Sequence, residues 1–293
     1  MTYLITGATG DVGSKVVRQL LQRDERPRIF VRNSEKAYAQ FSNQVDVFVG
    51  DLADARSLQR ALEGVEKFFL VNSGPQIPIL DDLAAQAAKT AGVRHIVKLS
   101  SLDVEQHLAI GAWHEKGEAT IRASGIPFTF VRPTGFMSNL LNWRHSIAAE
   151  GVVRSSAGDG KRPFIHSEDI AAVAVCALTT NDFVGKSLPI TGPQALTFAE
   201  ITEKIGAMIG KHLKYQSISD EEAGRRFSAT GASPEETAAH VELWRAIREG
   251  RVGKITNGVE RILGRQPIVL DQWLRENAAA FGATGALANL RNL

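Results

Sequence analysis

The strongest indication of the fold is the stretch Tyr3-Leu4-Ile5-Thr6-Gly7-Ala8-Thr9-Gly10-Asp11-Val12-Gly13. Its first four residues form an apolar run suited to a buried β-strand, and three glycines follow at a spacing of three. Apolar residues then recur at helical spacing, at Val12, Val16, Val17, Leu20 and Leu21. A strand, a glycine-rich turn and an amphipathic helix therefore begin a β-α-β unit.

The glycine loop predicts a dinucleotide-binding site. Gly7 permits a tight turn, Gly10 lets backbone approach a pyrophosphate, and Gly13 lets the helix pack on the strand, with helix amides facing the anion. With 26 glycines in 293 residues, the bare spacing arises by chance about 0.2 times per chain. Its position between strand and helix is what favours a dinucleotide over a plain turn. The expected contacts come from the loop residues Gly7, Thr9, Gly10, Asp11, Val12 and Gly13.

The end of the second strand indicates which dinucleotide binds. An acidic residue there would favour NAD by bonding a ribose hydroxyl, but this strand ends in Arg32. A guanidinium suits a 2′-phosphate through charge-assisted hydrogen bonds, so we expect NADP(H). Asp51 and Leu52 follow the third strand and are expected beside the adenine, although Asp51 equally suits a helix cap.

Strands and helices alternate along the first 135 residues, and Ser187–Ile190 reads as a seventh strand. This order predicts an α/β fold with a doubly wound, Rossmann-type parallel sheet and a smaller, mainly helical C-terminal lobe. We expect residues 1–155, with 167–192 contributing, to form the NADP-binding domain. Residues 193–293 would form the substrate lobe.

The composition of the chain argues against several classes of function. Lys and Arg number 34 against 32 Asp and Glu, and the basic residues form no block, so neither a nucleic-acid site nor a membrane anchor is expected. The apolar run Ile170–Leu178 is too short for a membrane span. The single cysteine, Cys176, permits no disulfide within the chain, and no signal peptide is evident, so we expect a cytoplasmic protein.

Further motifs resemble the NmrA-like, atypical branch of the short-chain dehydrogenase/reductase superfamily. They include Val31-Arg32-Asn33, Gly50-Asp51-Leu52, Val93–Val97, Ser124–Pro133 and Phe136–Asn139. Within that branch the chain looks most like NAD(P)H:quinone oxidoreductases and triphenylmethane or azo dye reductases. The resemblance implies cofactor contacts at Asn72, Ser73, Gly74, Ser100, Pro133 and Phe136. It implies substrate contacts at Pro75, Phe136 and Met137, and we add Trp143 beside an aromatic acceptor.

The superfamily's usual Tyr-x-x-x-Lys pair is missing, since none of the three tyrosines has a lysine four positions later. Without that acid, reduction of an isolated carbonyl is in doubt. A conjugated acceptor such as a quinone or dye spreads the incoming charge over its own π-system and needs mainly orientation. His114 takes the position of the lysine of related members. It would bind the nicotinamide ribose or donate a proton, unless it is a partly exposed helical residue. Ser100 either polarises a substrate oxygen or satisfies strand-end amides.

Two other functions stay open at this stage. An NmrA-like regulator would sense NADP(H) with the same residues and act through a protein partner, and a specific C=C or C=O reductase of secondary metabolism would use the same scaffold. The seven histidines show no metal-ligand spacing, so no metal is expected. The apolar stripe over 238–247 suits core packing or a homodimer.

Overall fold

The computed structural model describes residues 1–282 and divides them into two compact units. The first unit comprises residues 1–133, 167–190 and 258–265. The second comprises residues 134–166, 191–257 and the described residues from 266 onward.

The elements are numbered in chain order. The strands are β1 (Tyr3–Thr6), β2 (Arg28–Val31), β3 (Asp46–Val49), β4 (Lys67–Leu70), β5 (His95–Leu99), β6 (Phe128–Pro133), β7 (Val152–Ser155), β8 (Lys161–Arg162), β9 (Ser187–Ile190), β10 (Leu196–Thr197) and β11 (Lys214–Ser217). The helices are α1 (Asp11–Leu21), α2 (Ser34–Phe41), α3 (Ala55–Leu62), α4 (Ile77–Thr90), α5 (Ala109–Ser124), α6 (Arg144–Glu150), α7 (Ser167–Thr179), α8 (Phe198–Ile209), α9 (Asp220–Ser228), α10 (Pro234–Arg248), α11 (Gly258–Leu263) and α12 (Leu270–Asn277). Short 3-10 helices cover Leu102–Val104, Met137–Trp143 and Ala278–Phe281.

The first unit is built on a seven-stranded sheet in the order β3-β2-β1-β4-β5-β6-β9, with every neighbouring pair parallel. The chain runs outward from β1 to β3 and then restarts on the other side of β1 with β4. Every residue of β1, β4 and β5 is buried, as expected for strands between two layers of helices. The predicted doubly wound α/β fold is confirmed, and its strand order reverses at the carboxyl ends of β1 and β4, where such sheets bind ligands.

Helices flank this sheet. α4 packs between α3 and α5, and α1 packs against α7. An apolar core forms between the sheet and α3, α4 and α5, and it contains Leu4, Leu58, Phe68, Ile96 and Phe130, all inaccessible to solvent. Burial of these side chains stabilises the unit by about 1.5–3 kcal/mol each.

The second unit contains small strand pairs among its helices. β7 pairs in parallel with β11, and β8 pairs antiparallel with β10. α9 and α10 pack together through Phe227 and His240, whose rings stack 4.1 Å apart. The stripe over 238–247 lies on α10, and Trp244 meets Phe227 edge-on at 5.8 Å.

The division between the units differs from the predicted one at residues 134–155, 191–192 and 258–265. Residues 134–155 lie in the second unit, where Phe136 forms a β-bridge with Ile165. The segment 258–265 lies in the first unit, where α11 packs on α7 and β9. Gly258 lies so close to Pro189 that a Cβ atom would stand 2.1 Å from the Pro189 carbonyl oxygen. Within residues 1–282, no helix has the length and apolar character needed to span a membrane.

Candidate cofactor and active site

The glycine loop forms a cradle that only glycines can build. Gly7 has a left-handed φ of 62°, and its carbonyl oxygen accepts from the Gly10 amide at 2.9 Å. A Cβ at Gly13 would stand 2.2 Å from that same oxygen, which no real contact allows. Gly10 is the N-cap of α1 and offers no side chain, so among the described residues no side-chain hydrogen bond caps this helix. The cradle and the uncapped helix fit a pyrophosphate.

The Asp11 side chain is occupied within the first unit. Its carboxylate accepts from Lys15 Nζ at 2.7 Å and from the Ser167 hydroxyl at the start of α7. These bonds tie α1 to α7 and partly neutralise a charge that would repel a phosphate. The contribution of Asp11 to an anion site is thereby reduced to its backbone amide.

Arg32 follows β2 and is exposed, with no hydrogen bond or ion pair to any residue in the range 1–282. Asn33 beside it caps α2 by accepting from the Lys36 amide at 3.1 Å. Gln40, on the same helix, donates to the Thr9 carbonyl oxygen at 3.4 Å and so holds α2 against the glycine loop. A free guanidinium at this strand end is suited to a second phosphate.

The segment after β3 settles which residue caps the next helix. Asp54, not Asp51, is the N-cap of α3. Asp51 instead accepts from the Ala53 amide at 2.9 Å and is exposed, and Leu52 beside it is half-buried. The helix-cap alternative for Asp51 is therefore wrong. Gly50 lets the chain turn here, because a Cβ would stand 2.6 Å from the Phe30 ring.

A buried polar network lies below the loop that follows β4. Lys98 and Asp81 form an ion pair at 2.7 Å with both side chains fully buried. Asp81 also accepts from Asn72 Nδ2 at 2.7 Å. Asn72 is half-buried and is followed by exposed Ser73, Gly74 with a φ of 81°, and half-buried Pro75.

His114 is buried on α5, with 9% of its surface exposed, so the alternative of a partly exposed residue is wrong. Burial, with the charge of Lys98 adding to it, holds the pKa of His114 well below its ordinary value. The imidazole is therefore neutral at physiological pH. Lys116, two positions on, is exposed.

A second buried network surrounds Glu118, whose side chain is inaccessible to solvent. Arg132 donates to both of its carboxylate oxygens, at 2.9 and 2.5 Å, and the Ser100 hydroxyl donates to it at 2.7 Å. Arg132 also reaches Glu105 at 3.0 Å. Ser100 is thus oriented by a carboxylate, while its hydroxyl oxygen keeps acceptor capacity.

The remaining expected residues lie at or after the end of β6. Pro133, the last residue of β6, is buried in the first unit. In the second unit Phe136 is half-buried and Met137 buried, and the half-buried Trp143 packs on Phe198 with ring centroids 5.1 Å apart. Met137 borders a small pocket that also has Arg162 and Phe164 in its wall.

None of the tyrosines occupies α5. Tyr3 is buried in β1, and Tyr38 is exposed on α2. The Tyr215 hydroxyl donates to the carbonyl oxygens of Ser155 and Gly158 in the second unit. The chemistry of the site has to work without a tyrosine acid on that helix.

Sequence reasoning missed Asp81, Lys98, Glu118 and Arg132. A signal existed for Lys98, since a lysine inside a fully buried central strand requires a buried partner. Glu118 also stands one helical turn after His114, on the same face of α5. The pairing of Asp81 with Lys98 depends on how α4 packs on the sheet, which no local pattern reveals.

Comparisons with known proteins identify relatives along the whole chain. The chain is 36% identical over 282 residues to a (4-alkanoyl-5-oxo-2,5-dihydrofuran-3-yl)methyl phosphate reductase of Streptomyces griseus subsp. griseus, covering 95% of this chain and 98% of that protein. It is 35% identical over 286 residues to an NAD(P)H azoreductase of Xenophilus azovorans, covering 96% and 99%. The NADPH complex of the quinone oxidoreductase QOR2 from Escherichia coli superposes over both entire chains, with a TM-score of 0.84 and 25% identity.

The sequence profile of the NmrA-like family matches residues 1–245, which include the whole glycine loop, Arg32 and both buried networks. The resemblance drawn from the sequence motifs is confirmed, and the chain belongs to the NmrA-like family.

Proposed function

We propose that this protein is an NADPH-dependent reductase of conjugated acceptors such as quinones and dyes. One observation carries the proposal: the cradle of Gly7, Gly10 and Gly13 adjoins the start of α1, and Arg32 at the end of the next strand has no side-chain partner among residues 1–282. The named activities of the azoreductase and quinone oxidoreductase relatives support it.

Different residues of the chain would each bind a different part of the cofactor. The loop amides of Thr9, Asp11 and Val12 bind the pyrophosphate, Arg32 binds the 2′-phosphate, and Asp51 with Leu52 borders the adenine. Toward the other end of the cofactor the proposed contacts are Asn72, Ser73, Gly74, Ser100, Pro133 and Phe136. When bound, NADPH supplies a hydride to the acceptor.

The acceptor is oriented by side chains and not activated by a tyrosine acid. We assign it contacts with Pro75, Phe136, Met137 and Trp143, which are apolar or aromatic and suit a flat ring system. His114 is neutral, so of its two expected roles we favour hydrogen bonding to the nicotinamide ribose. Because a quinone or dye delocalises the charge it receives, protons can come from solvent.

A second candidate is a reductase specific for one C=C or C=O bond of a small metabolite. The 36% identity to the Streptomyces phosphate reductase favours it. Both candidates use the same cofactor site and differ in the acceptor.

A panel of acceptors tests the proposal. Purified protein with NADPH is mixed in turn with a quinone, an azo dye, a triphenylmethane dye and a small enone, and the nicotinamide absorbance band is followed. We expect fast loss of absorbance with the quinone or dyes. Turnover of the enone alone would support the second candidate. Tight NADPH binding without turnover of any acceptor would contradict an enzyme and favour an NADP(H) sensor that acts through a protein partner.

The proposal also covers the location of the protein in the cell and its oligomeric state. A cytoplasmic location is suggested by the lone Cys176, which permits no disulfide within the chain. We also propose a homodimer formed through α10, and the mass measured in solution by light scattering tests it.

A further inference from the structure

A gain in stability does not explain the buried ion pair between Asp81 and Lys98. Both side chains are fully buried, and their nearest charged atoms are 2.7 Å apart. Desolvating two charges costs several kcal/mol, and apolar replacements of such pairs are often neutral or stabilising. Lys98 also belongs to the carboxyl-terminal half of β5, the edge of the sheet at which parallel strands place their ligands.

The pair lies between two residues already assigned to the cofactor. One carboxylate oxygen of Asp81 accepts from Asn72 Nδ2 at 2.7 Å. The other lies against α5 at Gly117, where a Cβ would stand 1.9 Å from it. Gly117 comes three residues after His114 and so shares its face of the helix. The carboxylate therefore reaches Asn72 on one side and the turn below His114 on the other.

Apart from Asp81 Oδ2 and Lys98 Nζ, which form the ion pair with each other, the network leaves two polar atoms without partners among residues 1–282. Asn72 Oδ1 and His114 Nδ1 are both buried, and neither has a hydrogen-bond partner among residues 1–282. Buried polar atoms in folded proteins nearly always have a hydrogen-bond partner, so two such atoms without one in the same network indicate that a ligand binds there. The ligand has to offer hydrogen-bonding groups to an amide oxygen and an imidazole nitrogen.

We propose that Asp81 and Lys98 are positioning residues, which hold Asn72 Oδ1 and His114 Nδ1 in place to bind the ribose hydroxyls and carboxamide of NADPH. The Asp81 carboxylate accepts from the Asn72 amide nitrogen and so turns the amide oxygen toward the ligand. The Lys98 ammonium neutralises the carboxylate, which would otherwise draw a proton onto the imidazole. This inference rests on the proposed function, since NADPH is its ligand.

The charged surroundings of His114 decide its protonation. The Glu118 carboxylate already accepts from Arg132, Arg122 and Ser100, so we expect the Asp81–Lys98 ion pair to set the protonation of His114. The charge of Lys98, on β5, acts on His114. The elements that pack on α5 contribute three further charged groups, which are Asp81 on α4, Asp103 on the 3-10 helix after β5 and Arg132 on β6, and Glu118 lies on α5 itself.

The first test uses the unaltered protein. The protein is labelled uniformly with ¹⁵N, so that histidine ring nitrogens, asparagine side-chain amides and the backbone amides of the glycine loop are all observed, and the His114 signal is identified by its absence from His114→Gln. We expect NADPH to shift the His114 and Asn72 signals, while adenosine 2′,5′-bisphosphate, which lacks the nicotinamide riboside, shifts neither.

Two other outcomes separate the inference from the function it rests on. If NADPH shifts the amide signals of the glycine loop but leaves His114 and Asn72 unchanged, the positioning role is wrong and the cofactor site stands. If NADPH shifts no signal at all, the proposed function is wrong and this inference falls with it.

The second test removes the charges. Lys98→Met leaves the Asp81 carboxylate alone, so we expect the pKa of His114 to rise and the Kd for NADPH to increase about tenfold, the loss of one hydrogen bond. The increase should be larger at about pH 6 than at about pH 8, because a protonated ring no longer accepts at Nδ1. The double variant Asp81→Asn with Lys98→Met keeps an acceptor for Asn72 without either charge, and its Kd should lie within about threefold of the parent value.

Lys116→Met removes an exposed lysine from α5 and serves as the matched control, with no expected change in Kd. A folded Lys98→Met protein that binds NADPH as the parent does at every pH would overturn the inference. So would a double variant as weak as the single one at each pH. If Lys98→Met does not fold, the labelling experiment decides alone.

Discussion

Replacing Arg32 with alanine isolates the charge that selects the cofactor. Arg32 is exposed and has no hydrogen bond or ion pair among the described residues, so its loss removes no contact within the fold. We expect the free energy of unfolding to change by less than about 0.5 kcal/mol. Whatever binding energy is lost is then a measure of the ligand contact alone.

The magnitude follows from the chemistry of the lost contact. Charge-assisted hydrogen bonds to a phosphate contribute about 1–3 kcal/mol, so the Kd for NADPH should rise roughly five- to 150-fold. NADH lacks the 2′-phosphate, and its Kd should stay within about twofold. Salt should weaken NADPH binding less in the variant than in the parent protein, because one charged contact is missing.

Calorimetric titration of parent and variant with both nucleotides measures these values. Arg60→Ala is the matched control, because Arg60 is also exposed, lies on α3 and belongs to neither buried network. Equal losses for NADPH and NADH in Arg32→Ala would show that Arg32 does not contact the 2′-phosphate. An unchanged Kd for NADPH would refute the assignment outright.

Three further changes test the structure. Gly13→Ala places a Cβ 2.2 Å from the Gly7 carbonyl oxygen, so thermal unfolding should show a loss of about 1–3 kcal/mol together with weakened NADPH binding; a stable variant with normal affinity would contradict the cradle. Burial lowers the pKa of His95 from 6.5 to about 4, so stability measured in urea should fall by about 3 kcal/mol as the pH drops from 6.5 to 4. A His95→Gln protein should lose that part of the pH dependence, and identical pH profiles would speak against a buried neutral ring. Glu118→Leu leaves the Arg132 guanidinium without its buried partner, so the free energy of unfolding measured in urea should fall by about 3 kcal/mol. An unchanged free energy of unfolding would disprove this.

The first unit was predictable because its signals are local. The glycine loop, the apolar strands and the helices between them each follow from a short run of sequence, and seven strands were expected where seven are found. Ser187–Ile190, the least regular of these runs, does form the seventh strand and pairs in parallel with β6. Parallel strands buried on both faces leave continuous apolar runs, and such runs are hard to misread.

The second unit was harder to predict because its strands are short and solvent-facing. β11 (Lys214–Ser217) is mostly exposed and has no apolar alternation, yet it pairs with β7, about sixty residues earlier. Strands of two residues, such as β8 and β10, leave no periodicity at all. Their pairing is a product of tertiary packing, which overrides local preference.

Within the candidate site, the sequence pointed to backbone-built features and passed over buried side-chain pairs. A phosphate cradle requires glycines at fixed spacing, and fixed spacing is visible in one dimension. Asp81 and Lys98 are seventeen positions apart and meet because α4 packs on the sheet beside β5. Lys98 within an apolar strand was the sign that a buried partner had to exist, and its partner could be identified only in three dimensions.

Calorimetric titration of the purified protein with NADPH asks whether the glycine cradle and Arg32 form a cofactor site. We expect saturable binding of one NADPH per chain, tighter than that of NADH, because glycine-loop amides and the Arg32 guanidinium both contact phosphate. The absence of binding by either nucleotide would contradict it, and so would a clear preference for NADH.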